Sequence, residues 1–497
     1  MGYVEEAKAL VQNLDQRMGP SPYDIAWLAR LKDPSTEEPQ WPELITWLLD
    51  HQYPDGSFGS QIVYYHDRII CTLVAAMALR ENGHSDQARR AVKRAELYLW
   101  QHLHLLARDP SDLVGFELLL PTLLGEARSL GLEVPTHACG YERLQTEKLK
   151  LIPFEMLYSP HATTVHSLEF LGNTGDADKL QQALAVNGSL GNSPATTAYY
   201  LLLGGKDRRA LEYLETVQRH TGHVTIVYPF RTFEMTWVLN NLVFSGLSVT
   251  DLVGDEVWEA LETEMETSGV GADREFGIPD GDTTSVCIRL LIEAGHHVDP
   301  VILEQFEDKE KQTFRTYHYE RNASVSTNVH ALEALRLMPD YPNQKEVIEN
   351  ITLMLLNKRT FKMYWTDKWH TSPYYTTAHA LVGLLKEGAY VISACQYTLD
   401  WLLHTQRPDG SWGFFESGTT EETAYVLTAL LHYYQYKPID PDILHRGAAY
   451  LERSYKQADE TSYPALWIEK CLYIPHDIVR SAILSALILY QKTFGSS

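Results

Sequence analysis

Apolar residues recur at spacings of three and four along most of this 497-residue chain. At 3.6 residues per turn such positions share one face, so the pattern predicts helices over Val4–Leu14, Ile69–Leu79, Val92–Leu103, Val286–Ala294, Val329–Leu337, Ala424–Tyr434 and Val479–Tyr490. Convincing strand-length alternation is absent, and the expected fold class is all-α. Long all-α chains stack helix pairs, which should leave internal repeats. One repeat is QYPDGSFG at 52–59 and QRPDGSWG at 406–413. Its Pro-Asp-Gly turn joins two helices that the Gln and the ring can tie together. A looser one opens helices with Ser/Thr caps: SPHATTVHSL (159–168), SPATTAYYLL (193–202), SVSTNVHAL (324–332), SPYYTTAHAL (372–381) and GTTEETAYVL (418–427). Repeats on both sides of residue 240 argue for two similar helical barrels, with one continuous solenoid as the alternative. The best linkers are Ser245–Thr250 and Thr267–Gly271.

Charge narrows the partners. Lys and Arg total 42 against 65 Asp and Glu, a net charge of −23 that repels nucleic acid and anionic lipid. The five cysteines are far apart in sequence, with neither a CxxC pair nor a dense disulfide framework. The N-terminal segment lacks the basic region of a signal peptide, and no apolar run reaches the roughly 18 residues of a membrane span. A cytoplasmic protein is expected, with transient contact to a membrane surface left open. Phosphate-binding, zincin, nucleophile-elbow and dinucleotide fingerprints are all missing.

What remains is Asp280-Gly281-Asp282-Thr283-Thr284, two carboxylates at the mouth of a helix. Alone, such a pair reads as a cap. It is accompanied by SPYDIAWLARL (21–31), GFELLLPTLL (115–124), IVYPFRTFEMTW (226–237), IPDGDTTSVCIRLL (278–291), HYERNASVSTNVHALEAL (318–335), DKWHTSPYYTTAHAL (367–381), QRPDGSWGFFESGTTEETAYVLTAL (406–430) and WIEKCLYIPHDIVRSAIL (467–484). In this order these segments resemble the class II terpene cyclases, which protonate an alkene or epoxide with an Asp of a DxDD motif. The resemblance implies two α/α-barrels of the squalene-hopene cyclase type in a βγ arrangement, without a class I α domain. Residues 1–40 would then begin the β barrel, 41–240 form an inserted γ barrel, and 241–497 complete the β barrel.

The same resemblance assigns Asp282 as proton donor and Asp280 as its supporting neighbour. Thr283 departs from DxDD and gives a DxDTT form, similar to merosterolic acid synthase and drimenyl diphosphate synthase. Losing that carboxylate removes one influence that keeps the donor neutral, so desolvation must do more. Asn328 is expected to orient the acid. Trp365, Trp369, Tyr374, Tyr375, Phe414 and Phe415 are expected to face the migrating cation, which aromatic faces stabilise without quenching it. Asp109 and Asp112 stand where a diphosphate-binding member would hold Mg²⁺, and Lys368 where it would place a basic residue; with another head group no cofactor is needed. The implied activity is protonation-initiated cyclisation of a linear isoprenoid, a small-molecule C20 substrate carrying a diphosphate or an aromatic acid. A drimenyl-type enzyme acting on farnesyl diphosphate and a non-catalytic isoprenoid-binding toroid are the alternatives.

Overall fold

The computed structural model describes residues 2–153, 156–265, 268–276, 278–318, 320, 323–457 and 463–495. Thr267 of the second expected linker, and Tyr319, Arg321 and Asn322 of the 318–335 motif, lie outside them. Six inner helices, Arg231–Val243, Gly281–Glu293, Val325–Leu335, Pro373–Leu384, Thr420–Tyr434 and His476–Phe494, each pack on the next, and the last closes on the first. Outer helices such as Gln344–Asn357 bury a single stripe, Val347, Ile351 and Leu355, whereas Pro373–Leu384 is buried along its whole length. That difference follows from composition: the small and hydroxylated residues of the inner helices allow contact on every side.

A second ring runs through Pro22–Ala29, Tyr65–Asn82, Phe116–Ser129, the segment Thr163–Thr174 and Pro194–Leu202, which returns to Pro22–Ala29. Thr163–Thr174, expected as an ordinary helix, is a 3₁₀ stretch broken by non-helical Ser167 and Gly172. The two rings own separate cores, one containing Ala7, Leu10 and Val11 and resuming at Trp237, the other running from Met18 to Phe230. The first crossing between barrels therefore falls between Val11 and Met18 and not at residue 40. The reason is that Pro22–Ala29 packs between Tyr65–Asn82 and Pro194–Leu202. Two-residue antiparallel pairs at Glu307–Asp308 with Thr313–Phe314 and at Trp467–Ile468 with Leu472–Tyr473 are the strands among the described residues. No described helix is long and apolar enough to cross a membrane.

The repeats do the same job in both rings. Gln52 Nε2 donates to the carbonyls of Gly56 and Ala91, and Gln406 Nε2 to those of Gly410 and Ile443. A Cβ on Gly56 or Gly410 would come within 2.5 Å or 2.4 Å of an outer-helix carbonyl, so only glycine lets the chain approach. A hydroxyl of the inner helix then accepts the next N–H, Thr72 from Phe58 and Thr423 from Trp412. Residues 187–191 repeat the device with Asn for Asp: Asn187 takes Ser189, and Thr197 accepts from Leu190.

The barrels are joined by buried polar groups. Lys470 donates from the 467–473 hairpin to the His166 carbonyl, Glu169 and Ser193 of the second ring at 2.8, 2.9 and 2.6 Å. Asp24 of the SPYD segment accepts the N–H of Ala195 within the second ring at 2.9 Å and lies near the Lys470 charge. Glu234, on the first inner helix, accepts the Gln16 N–H at 2.9 Å, while Gln16 Oε1 accepts from Phe230. Burial, reinforced by the charge of Asp477, pushes Glu234 up to about 8. A carboxyl raised in the folded state stabilises the fold while protonated and loses that contribution as pH climbs from its unfolded value through 8. Glu234→Gln should therefore flatten the decline in stability from pH 6 to pH 9 by up to about 1.4 kcal/mol per pH unit, as read by urea denaturation. An unchanged slope would show that Glu234 ionises in the folded protein without cost.

Candidate active site

The acid loop is fixed by its backbone. Gly281 donates its N–H to the Thr316 carbonyl at 2.8 Å, and a Cβ there would lie 2.2 Å from the Arg315 carbonyl, so no side chain fits between the two carboxylates. Asp280 caps the helix Gly281–Glu293, accepting from the N–H groups of Asp282 and Thr283 at 3.0 and 2.7 Å. Burial first, opposed by the Thr283 N–H and aided by the neighbouring Asp282, brings Asp280 up to about 7. Asp280 thus takes the hydrogen-bond donors of the helix start, and Asp282 is left to side chains.

Those side chains come from the next inner helices. Asp282 Oδ1 lies 2.5 Å from His330 Nδ1, and the Ser326 hydroxyl lies 3.4 Å from Oδ2. His330 Nε2 meets His379 Nδ1 at 3.2 Å. Burial, then the charges that His330, His370 and Arg289 would place nearby, hold His379 well below the ordinary histidine range. The Asp282 side chain keeps a tenth of its surface open, against 1% for His330. Asp367, raised by burial, accepts from Ser326 at 2.5 Å, from Ser324 at 3.1 Å and from the Val325 N–H at 3.0 Å. Two carboxyl groups therefore share one serine.

Asn328, expected beside the acid, faces elsewhere. Ser326 and His330 are four apart and share a helix face, while Asn328 lies about 200° around from Ser326. Its amide grips the Phe314 N–H and carbonyl, both at 2.8 Å, so it fixes the short β pair and not Asp282. Sequence reasoning missed His330 and His379, although both stand in quoted segments with a common HAL ending, and missed Trp237 and Trp467.

Rings close around this chain of groups. Trp237 is 4.9 Å from His330 edge-on and 5.8 Å from Trp467, and Tyr375 contacts His379 at 4.5 Å, Tyr425 at 5.1 Å and Trp467 at 5.3 Å. Trp369 stands nearby, its indole donating to Thr316 at 3.4 Å. The other expected wall residues do not join this cluster. Trp365 repeats the packing of Trp412, each indole donating to an outer-helix carbonyl at 2.7 Å. Tyr374, one residue from Tyr375, points outward and stacks on Trp401 at 4.6 Å. Phe414 is 41% exposed, and Phe415 packs against the second barrel's core.

As placed here, Asp109 and Asp112 do not converge on one point where Mg²⁺ could sit. They flank one imidazole: Asp109 Oδ2 accepts from the His66 N–H and lies 2.7 Å from Nδ1, while Asp112 lies 3.1 Å from Nε2 and accepts from Tyr141 at 3.0 Å. Carboxylates on opposite sides of a ring cannot both reach an ion that demands oxygens at about 2.0–2.1 Å. The segment instead ties the barrels together, Ser111 donating to the Asp367 carbonyl at 3.1 Å. Lys368 pairs with Glu320 and lies 5.0 Å from the Trp369 ring centre.

Residues 7–108 and 301–459 match the family described as prenyltransferase alpha-alpha toroid domain. Among similar proteins is a "Type B diterpene cyclase" of Mycobacterium tuberculosis, 34% identical over 95% of both chains. The "(+)-kolavenyl diphosphate synthase" of Herpetosiphon aurantiacus is 30% identical over 98% of this chain and 97% of its own. Among solved structures, the ent-copalyl diphosphate synthase from Streptomyces platensis superposes with a TM-score of 0.80 at 29% identity, covering 98% of each chain. Two closed toroids, an acid loop at their junction and relatives that span its whole length place this chain in the class II diterpene cyclases of the alpha-alpha toroid family.

Proposed function

We propose that the protein cyclises geranylgeranyl diphosphate, with Asp282 protonating the terminal alkene. The observation that carries this reading is the carboxyl of Asp282, held by His330 at 2.5 Å, short of backbone donors and bordered by aromatic rings. Oδ2 delivers its proton to the less substituted alkene carbon, leaving a tertiary cation that the next double bonds attack in turn. The diphosphate stays attached throughout, and its oxygens are no part of the proton transfer. His330 donates to the carboxylate left behind, which favours proton release. Tyr375, Trp237, Trp467 and Trp369 offer π faces to the moving charge. Lys368, one-third exposed beside Asp367, is the cation we assign to the head group. The C20 diphosphate is preferred because the relatives that match end to end carry diterpene names.

Purified protein given geranylgeranyl diphosphate, farnesyl diphosphate or a geranylgeranylated dihydroxybenzoate should convert the first to a cyclic product by mass spectrometry. Conversion only of another substrate would refute the head-group or chain-length assignment, and conversion of none would favour a binding toroid. Asp282→Asn should cut turnover by about 10²–10⁴-fold or more with the fold retained, and Asp280→Asn less. The reverse order would exchange their roles.

Tyr375→Leu removes a π face worth about 1–2 kcal/mol, a five- to thirty-fold change in product partitioning. Trp365→Leu and Tyr374→Leu should lower stability without changing the product pattern. If the latter two redirected products and Tyr375→Leu did not, the cation would travel on the other side of the helix Pro373–Leu384.

A further inference from the structure

A cascade that starts by adding a proton ends by losing one, and the position of His379 bears on where that proton goes. The residue is 4% exposed on the inner helix Pro373–Leu384. Nδ1 is engaged by His330 at 3.2 Å, and among the described residues nothing else hydrogen-bonds to the ring. Nε2, on the opposite edge, has no hydrogen bond to any described residue, and its surroundings are mainly rings, with Arg289 the nearby cation. Tyr375 lies 4.5 Å away, Tyr425 5.4 Å, Phe244 5.6 Å and Trp237 6.5 Å, measured between ring centres.

We propose that His379 is the terminating base, its Nε2 removing the proton that ends the cyclisation; the inference rests on the cyclase reading above. The C–H bond next to the cationic carbon breaks and its electron pair becomes the new C=C bond, while the proton forms an N–H bond at Nε2. The Nδ1 proton of His379 then passes to His330 Nε2, and the Nδ1 proton of His330 to Oδ1 of Asp282. The carboxylate left by the first step is again a neutral carboxyl, now protonated on Oδ1, and both imidazoles are left as the opposite tautomer; exchange of their N–H protons with water after product release restores the starting forms with no net gain or loss of protons. Held well below the ordinary histidine range by burial, His379 keeps the lone pair this requires. A weak base suffices, because a proton beside a carbocation is strongly acidic. Of the two neighbouring imidazoles, His370 is engaged by Glu421 and by the Ser372 N–H and His330 by Asp282, which leaves His379 as the ring nitrogen free to accept.

The test compares the products of wild type, His379→Phe and His379→Gly from geranylgeranyl diphosphate. Wild type should release an alkene. His379→Phe should still consume substrate, with the alkene share falling about tenfold or more in favour of an alcohol formed by water capture. Imidazole in the buffer should restore the alkene in His379→Gly, which a purely structural role for the ring would not produce. The same alkene at the wild-type rate and share from His379→Phe would overturn the assignment. So would folded variants that are inactive and unresponsive to imidazole, since His379 would then only position His330. A wild type that forms no cyclic product from this substrate would instead overturn the cyclase reading, and the base assignment with it.

Discussion

A carboxyl group in the first turn of a helix is drawn toward ionisation, because unpaired backbone N–H groups and the helix dipole favour its anion. If Asp282 hands a proton to an alkene, as proposed, it has to escape that pull. Here the escape is a division of labour between neighbours. Asp280 takes both N–H groups that point out of the helix Gly281–Glu293, and Asp282 is left facing His330. Gly281 is pressed against the Arg315 carbonyl, where any side chain would clash. Thr283 in place of a third carboxylate keeps a further negative charge out of the loop.

The toroid makes this arrangement rigid. Each inner helix is buried along nearly its whole length, so a side chain on it is oriented by neighbours on two sides. Asp282, His330 and His379 come from three successive inner helices, and their hydrogen bonds run around the ring and not along any one helix. Glu234 and Lys470, both buried at the junction, lock the two barrels in register. Trp467 sits on the same hairpin as Lys470, so the contact that docks the barrels also sets a ring of the site.

Local chemistry was legible in the sequence, and helix phase was not. The DGDTT loop, the serine and threonine caps and the paired PDGS turns each depend on residues within a few positions of one another. They appear where the motifs stand, except at 159–168, where the 3₁₀ stretch starts after Ala162 without a side-chain cap. The partner of the acid depended on which face of the helix Val325–Leu335 turns inward, and Asn328 is on the wrong one. The same limit separates Tyr375 from Tyr374. Trp365 was misread because an aromatic near a helix start serves either as a wall or as the ring that pins an outer helix, and only its indole bond to Leu355 decides. The third turn, at 187–191, escaped notice because it lacks the Gln and the Pro of the others. The early crossing between barrels rests on long-range packing of Pro22–Ala29, which no local pattern announces.

The central claim is that Asp282 meets its substrate as a neutral carboxyl hydrogen-bonded to His330. Infrared difference spectroscopy of wild type against Asp282→Asn, each with a saturated and unreactive analogue of geranylgeranyl diphosphate bound, measures this directly. The account predicts a carbonyl band of a protonated carboxyl that is present in wild type, absent from Asp282→Asn and displaced when His330 is replaced by Phe. Bands of an ionised carboxylate alone at Asp282 would contradict it.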